Sequence, residues 1–313
     1  VHQLLNSHSN DIALIIGNGI NRYSKNRNIE SWEGLLEELA RKYNFLPNTP
    51  ADANFTDLIK GISLTEFFDV LDMKASKTSK ETNLQREFCE LMAKWTPDQH
   101  HKWITQWAQA HNTPVLTTNF ENTLGQSIDC TLRRIEHNPK NKEKGFTDYY
   151  PWSSYYSTTD LSNPIDGFGV WHINGMEHYA RSIRLGLTHY MGSVERSRNW
   201  FHKGNDARLF SGKNVDQWKG HSTWLNIVFS KPLLIFGLAL EENEVFLRWL
   251  LLERARYFKK FPERKKEAWF VHLNNKKPRQ GKLLFLSGVG VDLFAVDNYD
   301  QIYGAETWSL GAQ

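Results

Sequence analysis

Short apolar runs, each ending in a polar or glycine-bearing turn, alternate with stretches of helical periodicity along the chain. Asp11 to Ile16 (DIALII) is almost continuously apolar and stops at Gly17. Such a run predicts a strand buried on both faces, as in a parallel sheet. Ser31 stands where it can cap a helix over Trp32 to Tyr43, with Leu35, Leu36, Leu39 and Ala40 on one stripe. Residues 55 to 111 read as mostly helical, most clearly over Leu84 to Trp95 and Trp103 to Ala110, with breaks at Pro97 and in the charged Lys74 to Glu81 stretch. Further strands are predicted at Pro114 to Thr118, Val170 to Ile173, Pro232 to Phe236, Ala268 to Leu273 and Val291 to Val296. Arg184 to Thr188 reads as a short strand before a helix, residues 137 to 166 as a long irregular segment, and Glu242 to Tyr257 as a strong helix.

Strands alternating with helices predict an α/β fold: a Rossmann-like parallel sheet sandwiched by helices. In such sheets ligands bind beyond the carboxyl ends of the strands. Three predicted strands end in unusual turns, at residues 17–22, 119–121 and 237–244, and these are expected to converge on one crevice.

Composition narrows the class. The 313 residues suit one large domain or two smaller ones. With 38 basic and 35 acidic residues, nucleic-acid contact is not indicated. The 12 Trp, 11 Tyr and 18 Phe are expected mainly in core packing. The two cysteines, Cys89 and Cys130, cannot form a four-cysteine zinc site and read as free thiols of a cytoplasmic protein. The longest apolar runs are too short to span a bilayer.

The turn after the first strand, Gly17-Asn18-Gly19-Ile20-Asn21-Arg22, has glycines for close backbone approach and positive φ. A following helix amino terminus would offer N–H groups to a pyrophosphate. The third glycine of the dehydrogenase fingerprint is missing, and no ribose-binding acid closes a second strand about twenty residues on. A nucleotide turn and an ordinary strand–helix joint both remain open for this stretch. At the second turn, Thr118-Asn119-Phe120-Glu121, the Asn can hold a ribose hydroxyl or a water, or can simply cap the next helix. His100 and His101 are a minority candidate for metal binding.

Taken in order, Gly-Asn-Gly-Ile-Asn, Thr-Thr-Asn-Phe-Glu, Trp-His-Ile-Asn-Gly and Ile-Phe-Gly-Leu-Ala-Leu-Glu-Glu-Asn-Glu resemble the sirtuin-like superfamily, and more narrowly the sirtuin-like domains of bacterial anti-phage defence systems. The likeness runs over about residues 11 to 300. It implies a single sirtuin-like domain over residues 1–313, with a helical insertion at about residues 45–111 and no zinc. It implies NAD as a substrate rather than a redox carrier, cleaved to nicotinamide and ADP-ribose so that the cell is depleted of NAD. Gly17, Asn18, Gly19, Ile20, Asn21 and Arg22 would then meet the phosphates and the adjacent ribose, beside Thr118 and Phe120. Asn119 would hold the nicotinamide ribose and the attacking water; Gly237, Leu238 and Leu240 would border the adenosine end. Glu121 stands where the family usually has Asp. Control through a homo-oligomer or a separate sensor protein, a ring ATPase or a nucleotide-sensing subunit, is also implied, since such an activity would otherwise poison its own cell.

One position departs from the pattern. The family's second catalytic residue is a His directly before a Gly; here Asn174 precedes Gly175, and the nearest His is His172. On a continuing strand the two would share a face, about 6–7 Å apart. An Asn amide cannot act as a base near neutral pH, whereas a His can, so the resemblance implies a chain that binds NAD but hydrolyses it slowly or not at all. Asn174 therefore marks a residue changed to trap a ligand, a natural non-catalytic member that binds nucleotide as a regulatory module, or a strand shifted so that His172 serves instead.

Overall fold

The computed structural model describes residues 1–9, 11–23, 31–46, 54–78, 83–135, 150–213, 215–242 and 244–310. Parts of two sequence expectations, the irregular segment at 137–149 and the end of the charged break at 79–81, lie outside the described residues.

Eight strands form one sheet: β1 (Ala13–Ile16), β2 (Val115–Thr117), β3 (Thr131–Arg134), β4 (Ser154–Ser157), β5 (Val170–His172), β6 (Leu233–Phe236), β7 (Ala268–Leu273) and β8 (Asp292–Val296). Their order is β3-β4-β5-β2-β1-β6-β7-β8. Every pairing from β5 through β8 is parallel, while β4 runs antiparallel to both its neighbours. The α/β, mostly parallel architecture expected from the alternating pattern is what the chain adopts.

Burial explains the continuous apolar runs. In β1, Ala13 and Ile15 join one hydrophobic cluster, Leu14 and Ile16 the cluster on the opposite face. Helices cover both faces. They are α1 (His2–His8), α2 (Trp32–Lys42), α3 (Phe55–Leu58), α4 (Leu64–Thr78), α5 (Leu84–Met92), α6 (Gln99–Ala110), α7 (Thr123–Gln126), α8 (Leu187–His202), α9 (Leu225–Ser230), α10 (Val245–Lys260), α11 (Gln280–Gly288) and α12 (Asp300–Tyr303). Ser31 caps α2 as its sequence predicts, its hydroxyl accepting from the Gly34 N–H at 3.0 Å. Residues of α2 to α5 share a third cluster around Phe67, Phe68 and Phe88, to which Phe120 of the β2 turn belongs. α6 instead packs Ile104, Trp107 and Ala108 onto the sheet. The aromatic load is largely in these interiors; Trp152 stacks on Trp224, and Tyr155 on Trp171. No helix among the described residues is long and apolar enough to cross a membrane.

Three local expectations are corrected. The stretch 137–166, expected to be irregular throughout, contains β4, which pairs with β3 and β5. Residues 184–188 form no strand: Ile183 and Leu185 are buried in the third cluster without a ladder partner, and α8 begins at Leu187. β5 ends at His172, so Asn174 lies in the turn beyond it, where Gly175 has φ +98°. The period-2 argument that put His172 and Asn174 on one face therefore stops applying at that point.

The topology fixes where a ligand would sit. β1 pairs β2 on one side and β6 on the other. Chain that follows β1 builds the sheet toward β5; chain that follows β6 builds it toward β8. The turns after β1 and β6 thus leave the sheet at its switch point, where parallel α/β sheets open a crevice.

Candidate functional site

A cavity of about 800 Å³ opens at this switch point. Its walls include Asn18, Gly19 and Arg22 of the β1 turn, Thr118 of the β2 turn, and Gly237, Leu238 and Glu244 after β6. Trp32 at the start of α2 closes one side, and Lys276, Lys277 and Arg279 beyond β7 line another. That size suits a drug- or nucleotide-sized ligand, and the cations give part of its wall a positive field.

The glycines of the first turn serve a different contact from the one their spacing suggests. Neither Gly17 nor Gly19 has positive φ. A Cβ on Gly17 would lie 2.4 Å from Leu238 Cβ, and one on Gly19 would lie 2.8 Å from the Gly237 carbonyl oxygen. The two turns are pressed together, and Gly237, at φ +75°, completes the contact. A short 3₁₀ turn, Asn18–Ile20, follows β1 in place of an α-helix amino terminus. The N–H groups of Gly17, Gly19, Ile20, Asn21 and Arg22 donate to the carbonyls of Phe236, Gly237, Gly17, Asn18 and Gly19. The expected ring of backbone donors is therefore occupied by protein partners; charge for a phosphate would come from Arg22 and the Lys276–Arg279 loop.

Asn21 is enclosed behind the turn and ties it to three other elements. Its amide nitrogen donates to Asn18 Oδ1 at 2.8 Å and to Glu121 Oε1 at 2.7 Å. Its Oδ1 lies 3.0 Å from His101 Nε2 and accepts from the Thr123 hydroxyl at 3.4 Å. His100 Nε2 donates to the Ile20 carbonyl at 2.7 Å. Burial pushes the Glu121 carboxyl up to about 7, against the pull of the Asn21 hydrogen bond. Asp98, His100 and His101 bring ligand-type atoms within 4.8 Å of one another. Both ring nitrogens of His101 are already engaged, Nδ1 accepting from the Asp98 N–H and Nε2 facing Asn21. This cluster braces the turn.

The β2 turn holds the most conspicuous group. Asn119 is 1% exposed, and neither its side-chain oxygen nor its nitrogen has a hydrogen-bond partner among the described residues. A buried amide left open on both atoms is costly, and it marks a place where a water or ligand group is expected. The surrounding backbone is pinned. His172 Nδ1–H donates to the Asn119 carbonyl at 2.9 Å, and Asn174 Nδ2 donates to the Thr118 carbonyl at 3.2 Å. The first of these bonds sets the His172 tautomer and leaves Nε2 enclosed, with no partner among the described residues. Burial drives the His172 imidazole down to about 4, so it is neutral at physiological pH and a poor proton acceptor there.

Of the residues singled out in the sequence, Asn18, Gly19, Arg22, Thr118, Gly237 and Leu238 line the cavity. Asn21, Asn119, Glu121, His172 and Asn174 are buried polar groups in the turns behind it. Ile20, Phe120 and Leu240 are in the hydrophobic clusters. Phe120 stacks on Trp32 with centroids 4.5 Å apart, linking the β2 turn to the cavity wall. Leu240 takes φ +51°, an uncommon conformation for a branched side chain, and its carbonyl accepts from Arg248 at 2.8 Å.

Glu244 is not singled out in the sequence, although it closes the 237–244 turn expected to reach the crevice. It reads as the approach to a helix, and it does stand at the N-cap of α10. It lines the cavity, and its carboxyl lies close enough to the Asn174 amide to feel it. The residue as a whole is half-buried, but Oε2 is enclosed and without a partner among the described residues. Burial raises this carboxyl to about 7, opposed by the Asn174 amide. The available signal was position: an acid in the turn after a central parallel strand faces the ligand crevice.

No protein-family model matches the chain, and no curated protein matches it.

Proposed function

We propose that this protein is a sirtuin-like NAD⁺ glycohydrolase, cleaving the nicotinamide–ribose bond to give nicotinamide and ADP-ribose. The observation that carries the reading is the Asn119 amide, enclosed with both polar atoms open, one residue from the cavity-lining Thr118. Its oxygen would accept from a ribose hydroxyl while its nitrogen positions a water. Arg22 and the Lys276–Arg279 loop supply positive charge for a pyrophosphate. Water attacks the ribose C1′ as the C1′–N bond breaks through an oxocarbenium-like state, and nicotinamide leaves with the bonding pair. Enclosure of the site strengthens each of these polar contacts. The order of turn motifs, which resembles the sirtuin-like defence domains, supports NAD as the nucleotide consumed. The same resemblance supports a place in anti-phage defence, through NAD depletion in the cytoplasm, with control by self-assembly or by a separate sensor protein.

A second reading is a nucleotide-binding regulatory module without catalysis. Asn174 favours it: a non-titrating amide stands where the resemblance expects a His, and it donates to the Thr118 carbonyl. Proton NMR of NAD⁺ mixed with the protein separates the two. Growth of free nicotinamide resonances supports hydrolysis; line broadening of intact NAD⁺ without product supports the regulatory module; neither change contradicts both.

A further inference from the structure

If the site hydrolyses NAD⁺, a group must take the proton of the attacking water. Asn174 cannot. His172 is absent from the cavity wall, and its Nδ1–H is committed to the Asn119 carbonyl. Glu121 is also off the wall, with Oε1 holding Asn21. His272 lines the cavity on β7, three strands from the β2 turn that carries Asn119, and three glutamates line it too: Glu33, Glu241 and Glu244. Glu33 is exposed in the first turn of α2, and Glu241 is paired with Lys282. Glu244 alone of the three lines the cavity with an enclosed carboxyl oxygen, Oε2, that has no partner among the described residues, and its carboxyl lies near the Asn174 amide. The Asn174 amide beside that carboxyl donates to the Thr118 carbonyl, in the chain segment that carries Asn119.

We infer that Glu244 is the proton acceptor of this site, with Asn174 acting as the positioning residue that holds its carboxylate. The inference rests on the glycohydrolase reading. The water oxygen forms its bond to C1′ as the C1′–N bond breaks. Nicotinamide departs neutral with the electron pair, and the water proton passes to Glu244 before release to solvent. The net change is NAD⁺ plus water to nicotinamide, ADP-ribose and one proton. The carboxyl is raised by burial to about 7, matched to accepting a proton near neutral pH. The buried Tyr190 phenol is within electrostatic reach of this carboxyl and of Arg184. Asn174 is thus the neutral partner of a carboxylate base, in place of an imidazole base.

The test compares the parent protein with Glu244→Gln, Glu244→Asp and the double variant Glu244→Gln/Asn174→His. Nicotinamide release is followed from pH 5 to 9, and NAD⁺ binding by calorimetry. Glu244→Gln is expected to lose about 100-fold or more in kcat while binding NAD⁺ within about threefold of the parent. The parent rate should rise through a pKa near 7, and this limb should vanish in Glu244→Gln. Glu244→Asp should retain part of the rate, and the double variant should regain activity with a shifted limb. Parent-like hydrolysis and an unchanged limb in Glu244→Gln would overturn the assignment and leave the glycohydrolase reading standing. No nicotinamide from the parent would overturn both, and NAD⁺ binding without turnover would then favour the regulatory module.

Discussion

The amide nitrogen of Asn21 donates to Glu121 Oε1 at 2.7 Å across a sequence separation of 100 residues. That bond joins the turn after β1 to the turn after β2. His101 and Thr123 approach the other end of the same amide, so α6 and α7 are drawn into one network behind the cavity. Glu121 thereby braces the cavity-lining turn without itself reaching the cavity.

Glu121 should leave a signature in stability against pH. Its carboxyl is raised from 4.5 to about 7, so the folded chain holds that proton more tightly than the unfolded one. Stability from this group is present in full below the unfolded value and falls as pH rises from about 4.5 to about 7, by roughly 3 kcal/mol. Glu121→Gln keeps an acceptor for Asn21 and removes the buried charge. Chemical denaturation at several pH values should show a flatter profile for the variant, with stability at pH 8 equal to or above the parent's. A parallel fall in both proteins would contradict this.

Gly17 and Gly237 are predicted to be required by the contact between their two turns. Alanine at either meets atoms at or below 3.0 Å, including backbone oxygens, and at Gly237 also meets an unfavourable φ. A loss of about 1–3 kcal/mol is expected from the clash. Gly281, in α11, has nothing within 4 Å of an added Cβ. Gly281→Ala should be neutral or slightly stabilising, and urea midpoints of the three variants check the contrast.

Asn174→His should raise NAD⁺ hydrolysis about tenfold or more, by placing an imidazole beside Glu244 where the parent has an amide. Initial rates at pH 7 measure this directly. An unchanged rate in a folded variant would remove position 174 from the proton-transfer machinery, and a lower one would leave it only the role of positioning Glu244.

The central strands were legible because burial on both faces leaves continuous apolar runs, as in DIALII and PLLIF. The outer antiparallel pair was not. In β3 the pattern TLRR is polar and largely exposed, as edge strands are, and β4 is the short polar-aromatic run SYYS. α9, α11 and α12 were missed as short segments; α11 also reads QGKLLFLSG, an apolar run without a clear polar face. At the site, sequence marked the turns that line the cavity, but not what each residue does there. Gly17 and Gly19 looked like room for a ligand, and their close partner is another turn of the same chain. His172 and Asn174 looked like one strand face, until the strand ended between them. Glu244 was hidden as a helix approach, because its value comes from a neighbour 70 positions earlier, Asn174.

Asn119 carries the central claim, so its removal is the most direct test. NAD⁺ is incubated with the parent and with Asn119→Ala, and products are resolved by mass spectrometry, with circular dichroism confirming that the variant is folded. Equimolar nicotinamide and ADP-ribose are predicted from the parent. Asn119→Ala should fall by about 100-fold or more, the scale of losing a preorganised polar contact to the reacting centre. Intact NAD⁺ in both samples, or equal turnover by the two proteins, would contradict the assignment.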